Sequence, residues 1–177
     1  MSYVLRKMQA KIEQTLKRGK SVLLLGPRQT GKTTLLHKLK LDRYISLANL
    51  ETRLGYEQDL ARFGKEIEAL HTKCQYRPVV AVDEIQKIPK LTDAIQDLID
   101  RDIAQFILTG SSARKLRKTH TLNLMPGRII PLHMDPLTIQ ELPPENINIE
   151  KLLLFGSLPE IALEDDSQIQ EENLEAY

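Results

Sequence analysis

Gly26-Pro27-Arg28-Gln29-Thr30-Gly31-Lys32-Thr33 is the segment of this sequence best equipped to do chemistry. Two glycines, a lysine and a hydroxyl residue stand at the spacing G-x-x-x-x-G-K-[ST], the Walker A or P-loop pattern. Glycine lets a chain turn tightly around an anion, where a Cβ would intrude. Backbone N–H groups at a helix start carry partial positive charge and attract phosphate. Lys32 is long enough to reach the β- and γ-phosphates of a nucleotide, and the Thr33 hydroxyl suits Mg²⁺. Thr34 continues the loop into its helix. The alternative is an ordinary βα turn that contains glycine. Four fixed positions match by chance in roughly one chain of this length in a hundred. The flanks narrow it further: Val22-Leu23-Leu24-Leu25 reads as a buried strand and Thr34 to Leu39 as a helix.

A second constellation follows about fifty residues later, Val79-Val80-Ala81-Val82-Asp83-Glu84. An apolar strand that ends in two acids is the Walker B pattern. Asp83 is the candidate Mg²⁺ holder, through water. Glu84 is suited to polarise an attacking water. The rival is a buried strand that ends in solvated acids. A third strand end, Phe106-Ile107-Leu108-Thr109-Gly110-Ser111-Ser112, carries small hydroxyls. Ser111, and after it Thr109, could sense a γ-phosphate, or cap a helix at Ala113. Arg128 follows Pro126-Gly127 and could point at a neighbouring subunit's nucleotide as an arginine finger, or be a surface arginine at a strand start. Arg28 is its rival from within the loop. Arg114, Lys115, Arg117 and Lys118 cluster on a short basic segment. That cluster could touch DNA or RNA phosphates, or be a solvated face.

The elements that must position these residues are legible. Val4, Leu5, Met8, Ile12 and Leu16 recur at helical spacing, predicting an N-terminal helix over 3–18. Strands are expected at Val22–Leu25, Tyr44–Leu47, Val79–Val82, Phe106–Thr109 and Arg128–His133. Helices are expected at Leu54–Leu70, Leu91–Asp100, Ala113–Lys118 and Ile149–Phe155, and a capping box at Thr138–Glu141 opens a brief helical turn. Alternation of this kind gives a parallel sheet with helices on both faces. Ligands of such sheets bind outside the carboxyl ends of the strands, where all the motifs fall. A segment rich in Pro and Asn from Leu142 to Asn148 marks a boundary. It divides a base domain, 1–142, from a C-terminal portion, 143–177, with an acidic tail after Ala162 that reads as a solvated end of a longer protein or an interaction tail.

Composition narrows the classes. The 177 residues suffice for one domain with a core. A net charge of +1, from 25 basic and 24 acidic residues, gives no bulk argument for nucleic acid or membrane. One cysteine, Cys74, allows no intrachain disulfide and fits a reducing cytoplasm. No apolar run approaches the ~20 residues that span a bilayer. The four histidines have no zinc-ligand spacing.

These segments resemble the AAA-type P-loop ATPases of bacteria and archaea that pair an N-terminal ATPase domain with a C-terminal domain of uncharacterised function. The similarity lies in Leu25 to Leu35, Val82-Asp83-Glu84-Ile85-Gln86-Lys87-Ile88-Pro89, Leu108 to Ser112, Gly127-Arg128 with Pro136-Leu137, and Gly156-Ser157-Leu158-Pro159-Glu160. The resemblance implies a three-layer αβα P-loop NTPase fold with a five-stranded parallel sheet in the order 5-1-4-3-2. It implies ATP/ADP and Mg²⁺ as cofactors, ATP hydrolysis, Arg128 at the arginine-finger position of a homo-oligomer, and Gly156 to Pro159 as the junction into a helical lid. Pro126 and Ser157 stand where the family pattern has a small residue such as Ala and a Gly. Only the start of a lid is expected here.

The leading expectation is therefore Mg²⁺-dependent ATP hydrolysis. Gly26, Pro27, Arg28, Gln29, Thr30, Gly31, Lys32, Thr33 and Thr34 cradle phosphates, Thr33 and Asp83 hold Mg²⁺, and Lys32, Glu84, Ser111 and Arg128 act in catalysis. The rivals are a nucleotide-dependent switch with negligible turnover alone and a DNA-binding ATPase module. A small-molecule kinase fits less well, because an acid directly after Asp83 suits water activation. A GTPase would carry an Asn-Lys-x-Asp or Thr-Lys-x-Asp element, and the sequence has neither.

Overall fold

The computed structural model describes residues 3–111 and 127–176. The expected basic helix at Ala113–Lys118 lies outside the described residues. Helix α1 (Lys7–Lys17) leads into strand β1 (Ser21–Leu25), and the P-loop then turns into the short helix α2 (Lys32–Leu36). Strand β2 (Arg43–Ser46), helices α3 (Leu50–Gln58) and α4 (Leu60–Cys74) and strand β3 (Val79–Asp83) follow. Helix α5 (Leu91–Asp100) connects to β4 (Gln105–Gly110), and β5 (Ile129–His133) closes the sheet. Three helices come last: α6 (Ile149–Phe155), α7 (Pro159–Ala162) and α8 (Ser167–Glu175).

The sheet order is β2-β3-β4-β1-β5, every pair parallel. This is the expected 5-1-4-3-2 order. Strand residues alternate in direction, so each strand serves two faces. Leu23, Leu25, Val80, Val82, Phe106 and Leu108 join Phe63 and Ile67 of α4 and Ile95 and Leu98 of α5 in one apolar cluster. Val22, Leu24, Ala81 and Ile107 meet Ile12 of α1, Leu35 and Leu36 of α2, and Met134 on the other face. Burying apolar surface on both faces explains why these strands read as unbroken apolar runs. The register pairs Leu25 with Gly110 and Ser46 with Asp83, so the P-loop and both acidic and hydroxyl strand ends share one edge.

Three elements differ from the expectation. The helix expected over Leu54–Leu70 is two helices, broken at Asp59, whose φ of −137° is not helical. The Asp59 carboxylate accepts from the Arg62 amide at 3.1 Å and so caps α4. The P-loop helix begins at Lys32 and ends at Leu36, earlier than expected at both ends. The N-terminal helix expected over 3–18 starts later, at Lys7, and ends at Lys17. The acidic tail is mostly exposed and helical. It forms α8, and the buried Gln170 side chain donates to the Ile161 and Glu164 carbonyls at 3.0 and 2.7 Å.

A buried arginine joins distant parts of the chain near the P-loop. Arg6, only 6% exposed, donates to the carbonyls of Thr30 at 2.7 Å and Asp135 at 2.6 Å, and pairs with Glu141 at 3.2 Å. Glu141 also accepts the Lys7 and Thr138 amides at 2.8 and 3.0 Å. Burial pushes the Glu141 carboxyl up, but the Thr138 and Lys7 amides and the Arg6 charge hold it below its ordinary value. Removing one member of such a buried pair typically costs about 3–5 kcal/mol.

Close approach fixes the start of the P-loop. A Cβ on Gly26 would sit 2.2 Å from the Met134 carbonyl oxygen, which the end of β5 lays across it. Gly64, inside α4, has nothing within 4 Å of such an atom. In urea titrations Gly26→Ala should lose roughly 1–3 kcal/mol, because backbone must move. Gly64→Ala should gain roughly 0.5–1 kcal/mol from helix propensity. Equal effects of the two substitutions would contradict this packing.

Candidate functional site

The two sequence motifs meet at the carboxyl edge of the sheet. Thr33 Oγ1, from the first turn of α2, donates to Asp83 Oδ2 at 2.8 Å. Strand β4 lies between β1 and β3, and it supplies Thr109, whose hydroxyl donates to Asp83 Oδ1. Tyr44 of β2 donates to Asp83 Oδ2 at 3.0 Å. Asp83 is only 3% exposed, and these hydroxyls compensate its lost hydration. Burial first, and then the adjoining Asp83, push the Tyr44 phenol up to about 12. It therefore remains a donor throughout the neutral range.

Lys32 is buried and folds back on its own loop. Its ammonium donates to the Gly26 carbonyl at 2.9 Å and to the Pro27 carbonyl. Among the described residues no carboxylate forms an ion pair with it. Burial lowers its pKa, with Glu84 and Asp83 opposing the shift. The amides of Arg28, Gln29, Thr30 and Gly31 have no hydrogen-bond partner among the described residues. Gln29 and Gly31 hold left-handed φ values of 59° and 89°, which turn the loop. The Thr30 hydroxyl braces it by donating to the Pro27 carbonyl at 3.0 Å. Unpartnered amides beside an unpaired buried ammonium make a seat for an anion.

Glu84 occupies a left-handed conformation, φ 62°, ψ 45°, that non-glycine residues adopt at a cost of order 1–3 kcal/mol. Its amide donates to Thr109 Oγ1 at 3.0 Å, so β4 holds its backbone. Glu84 lines a cleft of about 380 Å³ with Arg28, Gln29, Gly31, Lys32, Thr33, Thr34, Pro159 and Glu160. Glu84 thus shares this cleft with the P-loop.

The other candidates separate. Thr109 is fully buried and serves Asp83 and the Glu84 amide, whereas Ser111 is half-buried and touches Gln86. Arg28 lines the cleft. Arg128 stands before β5, at the opposite end of the sheet from the P-loop, roughly 20 Å away along the strands at about 3.3 Å per residue. It pairs there with Asp100 at 2.5 Å. Arg114, Lys115, Arg117 and Lys118 lie outside the described residues.

Sequence reasoning missed an apolar cavity on the other side of the loop. About 350 Å³ in volume, it is lined by Tyr3, Val4, Arg6, Gly31, Thr34, Lys38, Leu137, Pro159 and Leu163. Its walls come from both ends of the chain, so no local spacing announced it. It shares Gly31, Thr34 and Pro159 with the cleft. Tyr44 and Gln86 were also missed as site residues. No group of three or more His, Cys, Asp or Glu placed to hold a metal ion forms among the described residues. A cation here would draw on one hydroxyl and one carboxylate, the sparse set that suits Mg²⁺ with its retained waters. No helix among the described residues is long and apolar enough to cross a membrane.

Known proteins are similar to this chain. An uncharacterized protein of Mycobacterium tuberculosis, and one of Mycobacterium bovis, are each 30% identical to the chain over 154 residues, 85% of its length. The chain spans about a third of those relatives, 32%. Among solved structures, PCH-2 of C. elegans superposes with a TM-score of 0.51 at 17% identity, over 75% of this chain and 40% of that one, a likeness of fold alone. The AAA domain family pattern matches residues 18–143, from the end of α1 past Leu142, and takes in the P-loop, Asp83, Glu84, Ser111 and Arg128. The chain therefore belongs to the AAA domain family.

Proposed function

We propose that this chain binds ATP and ADP with Mg²⁺ and hydrolyses ATP, as the ATPase module of a longer protein. The observation that carries the reading is the 2.8 Å contact between Thr33 and Asp83, which unites motifs fifty residues apart at one sheet edge. In this reading Gly26 to Thr34 wrap the phosphates, and the amides of Arg28 to Gly31, which otherwise lack partners among the described residues, donate to them. Lys32 leaves the Gly26 and Pro27 carbonyls for a phosphate oxygen. Thr33 and Asp83 hold Mg²⁺, which when bound neutralises phosphate charge. Glu84 accepts a proton from water held in the cleft, and Ser111 helps orient it. The apolar cavity seats the base. A neighbouring copy supplies Arg128, since its own lies at the far end of the sheet. The same placement favours a second reading, a nucleotide-dependent switch whose turnover is negligible until copies assemble. The unpaired Cys74 suits a cytoplasmic setting.

Fluorescent-nucleotide titration and phosphate release test the phosphate site together. Lys32→Ala should lose nearly all affinity for ATP–Mg²⁺. Glu84→Gln should bind within about twofold of wild type and lose 10²-fold or more in turnover, about the contribution of a positioned general base. Wild-type affinity in Lys32→Ala would refute the reading.

The base site has its own test. Leu163→Asp places a charge in the apolar cavity and should weaken ATP binding about tenfold or more, by desolvation. Inorganic tripolyphosphate should bind this variant as it binds wild type. Equal losses for both ligands would remove the cavity from nucleotide recognition.

A further inference from the structure

The Asp83-Glu84-Ile85-Gln86 element carries one polar side chain that the reading above leaves unused. Gln86 sits in the 3₁₀ turn Ile85–Lys87, between Ile85 and Ile88, which are 0% and 4% exposed. Those two anchors sink into the core beside Leu91 and Ile95, so the turn is fixed in position. From it the Gln86 amide nitrogen donates to Glu84 Oε2 and, at 3.3 Å, to Ser111 Oγ. One amide thus joins the end of β3 to the end of β4. An ionised carboxylate only accepts hydrogen bonds, so the nitrogen end must face it. The opposite end of the amide shows what this orientation sacrifices. Gln86 Oε1 is buried and has no hydrogen-bond partner among the described residues. A buried orphan acceptor is destabilising, and an apolar side chain of the same shape would avoid it.

We propose that Gln86 is the positioning residue for Glu84. It holds one carboxylate oxygen, leaves the other free toward the cleft, and ties the setting of Glu84 to Ser111. This deepens the ATPase reading and rests on it. Gln86 does not line the cleft. It acts through Glu84, and its loss should fall on turnover and spare nucleotide binding. The backbone of Glu84 is already fixed by Thr109. The side chain has no other hydrogen-bond partner among the described residues. Without Gln86 the carboxylate would sample rotamers away from the water.

Gln86→Met tests the proposal, because methionine has similar length and shape and removes both the donors and the orphan carbonyl. The expected result is a kcat about 10- to 100-fold lower, the cost of misplacing a reacting group by about 1 Å. KM for ATP should stay within about twofold, and the melting temperature should be equal or higher. The loss should vanish in a Glu84→Gln background, and Ser111→Ala should add little to it. Unchanged kcat in an active wild-type background would overturn the proposal. So would parallel losses in kcat, KM and stability, which a structural role would give. A second measurement judges the hydrogen bonds whether or not the chain turns over. The Gln86 side-chain amide signals in a ¹H–¹⁵N spectrum should shift in both Glu84→Ala and Ser111→Ala. Signals indifferent to both substitutions would sink the clamp. A wild type with no turnover would count against the ATPase reading instead.

Discussion

Asp83 is the constraint around which this molecule is arranged. A carboxylate buried to 3% exposure has lost its water, and it persists only if donors replace that hydration. Here the donors are hydroxyls from separate elements: Thr33 of α2, Tyr44 of β2 and Thr109 of β4. Tyr44 and Thr109 can reach Asp83 because the parallel register aligns β2 and β4 with β3, and Thr33 because α2 follows the adjoining P-loop. The fold and the site are therefore one arrangement. A slipped strand would leave a buried carboxylate without partners.

Around that anchor the charges are placed economically. Lys32 points inward yet meets only carbonyls, and the neighbouring amides have no partner among the described residues. Glu84 is held by its backbone to Thr109 and by its side chain to Gln86. Strain at Glu84 and an orphan carbonyl at Gln86 concentrate at the same strand end. Such costs are tolerated where surrounding structure over-determines them, and sites of chemistry are where they cluster.

Much of this was legible in the sequence. The strands were, because residues buried on both faces are apolar without interruption, as in Val22–Leu25 and Val79–Val82. The approach of the two motifs was also legible, since both follow parallel strands. The break at Asp59 was hidden because Leu60, Phe63, Ile67 and Leu70 continue a helical spacing from Leu54. Tyr44 was read only as a strand residue, because its role depends on β2 pairing with β3. The cavity between Tyr3, Leu137 and Leu163 joins residues that only the tertiary fold brings together. The buried Gln170 in an acidic tail gave no local signal, since its partners are backbone carbonyls.

In the proposed function the loop around Lys32 and the acid closing β3 form one seat for a nucleotide phosphate and its cation. A crystal structure grown with Mg²⁺ and a non-hydrolysable ATP analogue addresses it most directly. The Lys32 ammonium is expected to abandon the Gly26 and Pro27 carbonyls for phosphate oxygens, with the cation between Thr33 and Asp83. A structure at saturating ligand in which Lys32 stays folded on its loop, or the cation lies away from Asp83, would contradict it.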